Sequence, residues 1–247
     1  KMETSIFNYG ELPEFDKFTS DRINQEFPNV LEKINLDFKK IENFLSNYVE
    51  QENLEWDKVI NPLNEVNEIL RWSWGVISHL NGVKNSESLR EIYSKFLPEI
   101  INLSNKFGQS KIIYNSLVKL KETNNFDGIK NRILDKEILE MEHRGISLNI
   151  NNQKDFNVIS GKLGKLSTNF SNNVLDATNS WYLILNDKSQ IDGVPERVLE
   201  LMSISAHEYL KKEGEADAQK GPWKLSLDIP TYTCLLYTSD AADELCR

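Results

Sequence analysis

Few side chains in this chain are spaced for chemistry. The three histidines, His79, His143 and His207, lie far apart, so no two of them form a one-turn metal clamp on a single helix. The sharpest pattern is His207-Glu208. A zinc-peptidase helix needs His-Glu-x-x-His, in which two imidazoles one turn apart bind the metal and the Glu polarises its water. Lys211 stands where the second His would be required. An ammonium has no lone pair to give a metal, so His207-Glu208 reads as an ordinary helix face. Glu140-x-x-His143 has the spacing of a di-iron helix, but that chemistry needs a second copy and two further Glu residues. It reads as a solvated face with a cation at a helix C-terminus.

Nucleophilic and phosphate chemistry leave no mark either. There is no Gly-x-Ser-x-Gly and no glycine-rich phosphate loop. Trp72, Trp74, Trp181 and Trp223 are spaced for packing rather than as a ligand-stacking set. Asn172, Asn173 and Asp176 cluster near a helix end, where such side chains serve turns and backbone groups. Cys234 and Cys246 have no spaced partner for a metal and do not form a disulfide framework. No position is therefore assigned a catalytic, cofactor-binding or metal-ligating role.

The bulk properties narrow the class. The 247 residues carry 29 Lys plus Arg against 38 Asp plus Glu, a formal charge of −9. A surface of that sign repels phosphate backbones, which excludes nucleic acid as a partner. No run approaches the roughly 18 apolar residues of a membrane span, and no basic, then apolar, secretory leader opens the chain. The expected location is the cytoplasm.

The elements that would carry these side chains are mostly helices. Residues 3–18, with Phe7, Pro13, Phe15 and Phe18, predict an extended arm lying on helices. Thr19 or Ser20 caps a first helix in which Val30, Ile34, Phe38, Ile41, Leu45 and Tyr48 keep the three-four spacing of one face. Pro28 predicts a kink or a fresh start. A second helix is expected over residues 56–80, stopped by Asn81-Gly82. Ser86 or Ser88 caps a third, marked by Leu89, Ile92, Phe96, Ile100, Leu103 and Phe107. Gly108 interrupts that pattern before Ile112, Ile113, Leu117 and Leu120 resume it. A fifth helix covers 129–144 and ends at Gly145. After a polar turn at 149–152, Phe156, Ile159, Leu163, Leu166, Phe170 and Val174 mark a long helix. Gly161 and Gly164 lie inside it at about 1 kcal/mol each, which predicts close approach of another backbone.

The period then changes. Residues 181–185 form a short β-prone run and residues 223–229 alternate apolar with polar. Two isolated strand signals pair most simply with each other. The fold class is therefore all-α with one small two-stranded antiparallel β-ribbon, 181–186 with 223–229. A helix over 195–212 and a polar loop at 214–221 lie between the two strands. From Thr233 the sequence reads like translated adapter, so residues 1–232 are taken as the native helical domain and 233–247 as a non-native tail. With Lys1 in place of an initiator, a fragment open at both ends is expected.

Four segments carry a resemblance. Ser78-His-Leu-Asn-Gly-Val-Lys-Asn-Ser, Leu89-Arg-Glu-Ile-Tyr, Phe170-Ser-Asn-Asn-Val-Leu-Asp-Ala-Thr and Leu227-Asp-Ile-Pro-Thr-Tyr232 resemble, in that order, the N-terminal region of thimet-oligopeptidase-like zinc metallopeptidases of the oligopeptidase A type. The resemblance implies an almost wholly helical, monomeric enzyme in which two halves enclose a narrow channel for short peptides. Zinc and the catalytic His-Glu-x-x-His would belong to a C-terminal half that this chain does not reach. It also implies that the present residues form the non-catalytic channel wall, with oligopeptide substrates and the missing catalytic half as partners. On that reading the chain alone neither hydrolyses peptides nor binds zinc, and it exposes apolar surface meant for its other half. The rival expectation is a free-standing helical module that holds a peptide or protein between its helices.

Overall fold

The computed structural model describes residues 5–50, 54–211 and 214–238. Among these are eight α-helices and one two-stranded ribbon, divided into two units at Leu166/Ser167. Most of the helices begin where the sequence offers a capping oxygen, whereas those that start at Trp56 and Glu196 have no side-chain cap. Thr19 Oγ1 accepts from Arg22 N at the start of α1 (Ser20–Tyr48), and Ser86 Oγ accepts from Leu89 N. α2 (Trp56–Val83) precedes Ser86 and α3 (Glu87–Gly108) follows it. Ser110 caps α4 (Lys111–Thr123), Asp127 caps α5 (Gly128–His143), and Asn149 Oδ1 takes Asn152 N at the head of α6 (Ile150–Ser180). Each such cap stabilises its helix by about 1 kcal/mol.

The first unit is a helix bundle around one core. α1 contributes Ile23, Phe27, Leu31, Ile34, Phe38, Ile41, Leu45 and Tyr48, all buried. Val30 sits at the edge of that stripe, half-buried. The helix does not restart at Pro28, which lies inside one continuous run with Phe27 and Leu31 buried on either side. One missing backbone hydrogen bond is outweighed by side chains worth about 1.5–3 kcal/mol each when fully buried. The same core takes Val59, Ile60 and Ile77 from α2, Leu89 and Phe96 from α3, Leu117 and Leu120 from α4, and Leu134 from α5. The N-terminal arm does lie on this bundle: Ile6 and Phe18 are buried, and Phe7 packs against Phe18 and Phe27 at 5.3 Å.

The expected stop at Asn81-Gly82 is displaced. α2 runs on to Val83, and Asn85, not a glycine, takes the left-handed backbone at φ 45°. Its side chain returns to Asn81 O at 2.8 Å, which replaces a lost helical bond. α5 ends as expected, with Gly145 at φ 84°.

α6 is the long helix that its period marks, but its apolar residues are uncovered: Ile159, Leu163 and Leu166 are 63–65% exposed, and in the second unit Phe170 and Val174 of the same helix are exposed too. The side of α6 turned toward the first bundle is small or polar. Asn157 exchanges hydrogen bonds with Gln109 at 2.9 and 3.2 Å, and Gly164 meets Ile101, whose Cδ1 would lie 2.4 Å from an added Cβ. Gly164 thus marks close approach of a side chain rather than of a backbone. Gly161 marks none, since nothing stands within 4 Å of its missing Cβ.

In the second unit, β1 (Tyr182–Leu185) pairs antiparallel with β2 (Trp223–Ser226) in the register Tyr182↔Ser226 to Leu185↔Trp223. α7 (Glu196–Leu210) packs on β2, and Leu185, Ile191, Val194, Leu199, Met202 and Trp223 form the core. The indole N–H of Trp223 donates to Ala218 O at 3.0 Å. The second strand stops at Ser226 instead of continuing to residue 229. There Asp228 accepts from Ser226 Oγ and, at 2.9 Å, from Thr231 N, which turns the chain into α8 (Ile229–Thr238). Burial works against the charge of Asp228, yet these hydrogen bonds hold its pKa below the ordinary carboxylate value. Of the segment 233–247, the described part ends at Thr238, and Cys246 lies outside the described residues.

Candidate functional site

Within each unit, the histidines singled out by spacing are not brought into a metal-binding group among the described residues. His79 of α2 lies 5.5 Å from the Phe15 ring, and His143 is exposed at the end of α5. In the second unit His207 Nδ1 is 3.0 Å from Ser203 O, one turn back on α7. Glu140, three residues before His143, pairs with Arg144 at 3.5 Å instead. Among the described residues no group of three or more His, Cys, Asp or Glu side chains could hold a metal ion. Trp72, Trp74 and Trp223 are packing residues. Trp74 stacks between Phe27 at 6.0 Å and Tyr93 at 4.7 Å, whereas Trp181 is exposed.

What the first unit does offer is a cavity of about 390 Å³ bounded by α1 to α5. Phe38, Ile60, Leu70, Ile113, Leu117 and Met141 make a buried apolar floor. The polar side carries Asn67, Arg71, Ser104, Glu137, Glu140 and Arg144. Arg71 is paired with Glu68 at 2.5 Å and Arg144 with Glu140. Glu137 makes no hydrogen bond or ion pair among the described residues. Burial raises its pKa above the ordinary carboxylate value and nearby Glu140 adds to the rise, with Lys136 opposing. Glu137 was not singled out by sequence reasoning, although a signal was present. It lies three residues after Leu134 and four before Met141, so a carboxylate interrupts the buried stripe of α5.

The other candidate is the outer face of α6. In the first unit Ile150, Val158, Ile159, Leu163 and Leu166 are each more than half exposed. Apolar side chains at these spacings form a continuous strip on one helix, and strips of that kind mark interaction surfaces.

The described residues of the first unit thus form a helical bundle with an uncovered apolar face on α6 and no group of side chains able to hold a metal ion. The chain belongs to the neurolysin/thimet oligopeptidase family, whose N-terminal domain model matches residues 27–153. Its relatives are enzymes of the oligopeptidase A type. It is 31% identical over 225 residues to the probable cytosolic oligopeptidase A of Arabidopsis thaliana, covering 90% of this chain and 31% of the relative. The organellar oligopeptidase A of chloroplasts and mitochondria in the same plant is 30% identical, with 90% and 27% covered. Oligopeptidase A of Haemophilus influenzae is 31% identical over 234 residues, with 94% and 32% covered. The chain therefore spans about a third of the length of the curated relatives it matches. These relatives occupy different compartments, so location does not follow from family. Among the described residues no helix is long and apolar enough to cross a membrane.

Proposed function

We propose that this chain is the N-terminal, non-catalytic part of a zinc-dependent metalloendopeptidase that cleaves short oligopeptides in the cytoplasm. Its helices wall one side of the substrate channel, and the outer face of α6 docks on the remainder of the polypeptide. The observation that carries this reading is the uncovered strip Val158–Ile159–Leu163–Leu166 on a chain that matches a third of its relatives' length. Burying such a strip against a partner removes apolar surface from water at about 25 cal/mol per Å². The residues present do not fit zinc, because Lys211 stands in the place of a second histidine and the described residues offer no three-ligand group. The metal and the water it activates are assigned to the rest of the longer protein.

The reading frame of the parent gene downstream of Tyr232 is the test. A His-Glu-x-x-His farther along supports the proposal. A natural stop codon there instead makes the chain a free-standing binding module. Purified 1–247 should also leave a quenched fluorogenic peptide intact. Chelator-sensitive cleavage by this chain alone would overturn the non-catalytic assignment.

A further inference from the structure

We propose that the cavity enclosed by α1 to α5 binds a small organic ammonium with an apolar body, the ammonium resting on Glu137 and the body on the floor formed by Phe38, Leu70, Leu117 and Met141. Size and lining come first. A volume of about 390 Å³ with a buried apolar floor lies within the roughly 300–1,000 Å³ range of small-molecule sites. Charge decides the class of ligand. Both arginines at the polar side already have carboxylate partners, Arg71 with Glu68 and Arg144 with Glu140. The charge without a partner among the described residues is Glu137, half-buried on the inner side of α5. An anionic ligand would share an arginine already neutralised by its carboxylate and would still face Glu137. A cation breaks nothing and supplies the partner that burial makes valuable.

The position of the carboxylate also fixes the shape of the ligand. Glu137 is one turn from Met141 on the same stripe of α5, so a ligand that touches both has its charge within a few ångströms of its apolar part. Aralkyl and short alkyl amines meet that description, whereas polyamines and inorganic cations would leave the floor uncovered. The site lies in the first unit and uses no residue of the α6 face. The inference therefore stands or falls separately from the docking reading.

The test uses phenethylammonium, with 2-phenylethanol and phenylacetate as neutral and anionic counterparts, titrated into the 247-residue chain by calorimetry and ligand-observed NMR. Phenethylammonium should bind at least about tenfold more tightly than either counterpart, and Glu137→Gln should remove that preference. Ser104→Phe, which adds bulk to the lining and leaves the charge in place, should weaken binding of the amine while circular dichroism shows the fold retained. Equal binding of all three compounds, tighter binding of phenylacetate, no binding of the amine, or an unchanged preference in Glu137→Gln would each overturn the proposal.

Discussion

The stem of Arg144 lies on the bare Cα of Gly108. A Cβ at Gly108 would stand 2.2 Å from Arg144 Cδ and 2.9 Å from Arg144 Cβ. Gly108 closes α3 and Arg144 follows α5, so this contact joins the ends of two helices, and the backbone carbonyl of Arg144 is held there by Gln109 Nε2 at 2.9 Å. Gly108→Ala should push the Arg144 stem away and loosen its pair with Glu140. Overpacking of this kind costs about 1–3 kcal/mol, to be read as a lower urea midpoint at unchanged slope. An unchanged midpoint would mean that the α3 end yields freely.

Glu26 ties the N-terminal arm to α1. Its carboxylate accepts from Ser5 Oγ at 2.8 Å, Ile6 N at 2.9 Å and Arg22 Nε at 3.0 Å. Burial opposes the charge, but these donors together hold the pKa below the ordinary carboxylate value. A lowered folded pKa contributes stability above the unfolded value and loses it as pH falls through the folded one. Glu26→Ala should therefore cost about 1.5–3 kcal/mol at neutral pH. That difference from the parent should disappear in thermal melts carried out under acid conditions, as the parent's own carboxylate is protonated.

Glu137 should behave with the opposite sign. Its folded pKa is raised, so the charged form is disfavoured in the fold. Its contribution is intact below the unfolded carboxylate pKa and is lost as pH rises through the folded value. Glu137→Gln should melt at a higher temperature than the parent at neutral pH and at the same temperature in acid. A variant that is less stable at neutral pH would show that the carboxylate has a partner in solution.

The two glycines of α6 should respond differently to the same change. Nothing surrounds the missing Cβ of Gly161, so Gly161→Ala should stabilise the helix by about 1 kcal/mol. Gly164→Ala gains the same propensity but must displace Ile101 Cδ1, so its gain should be smaller or absent. Hydrogen exchange of the α6 amides separates the two, and identical protection factors would contradict the contact with α3.

In the second unit Trp223 is 1% exposed and is both the largest buried side chain and a donor to Ala218 O. Trp223→Ala should cost about 3–5 kcal/mol. The loss should appear in the near-ultraviolet dichroism and in protection of the ribbon amides. A ribbon that stays protected in that variant would mean α7 alone holds it.

The helices were legible because burial and periodicity agree wherever a helix packs by its apolar side. The stripe Ile34–Phe38–Ile41–Leu45 of α1 follows directly from the sequence, and the structure chooses Thr19 over Ser20 and Ser86 over Ser88 as caps. The ribbon was legible for the same reason, Trp223 and Leu225 being apolar at alternate positions. α6 was legible as a helix, but its exposure was not, because its period gives the direction of its apolar residues and not the identity of what covers them. Its contacts with the first bundle run through Asn157 and Gly164, which carry no hydrophobic signal. The end of the second strand was hidden in Asp228, whose capping role depends on where Thr231 lies. The cavity was out of reach for another reason: its walls come from five helices, and no single one of them encodes an empty volume.

The reciprocal amide pair between Gln109 and Asn157 sets the rotational phase of α6. A helix turns about 100° per residue, so a slip of one position would carry Leu163 round toward Ile101 and hide it. Two hydrogen bonds between matched amides are satisfied at one angle only. An apolar contact, which lacks direction, would tolerate several. The polar pair thus works as an angular stop, aiming the apolar strip outward even when nothing is bound to it.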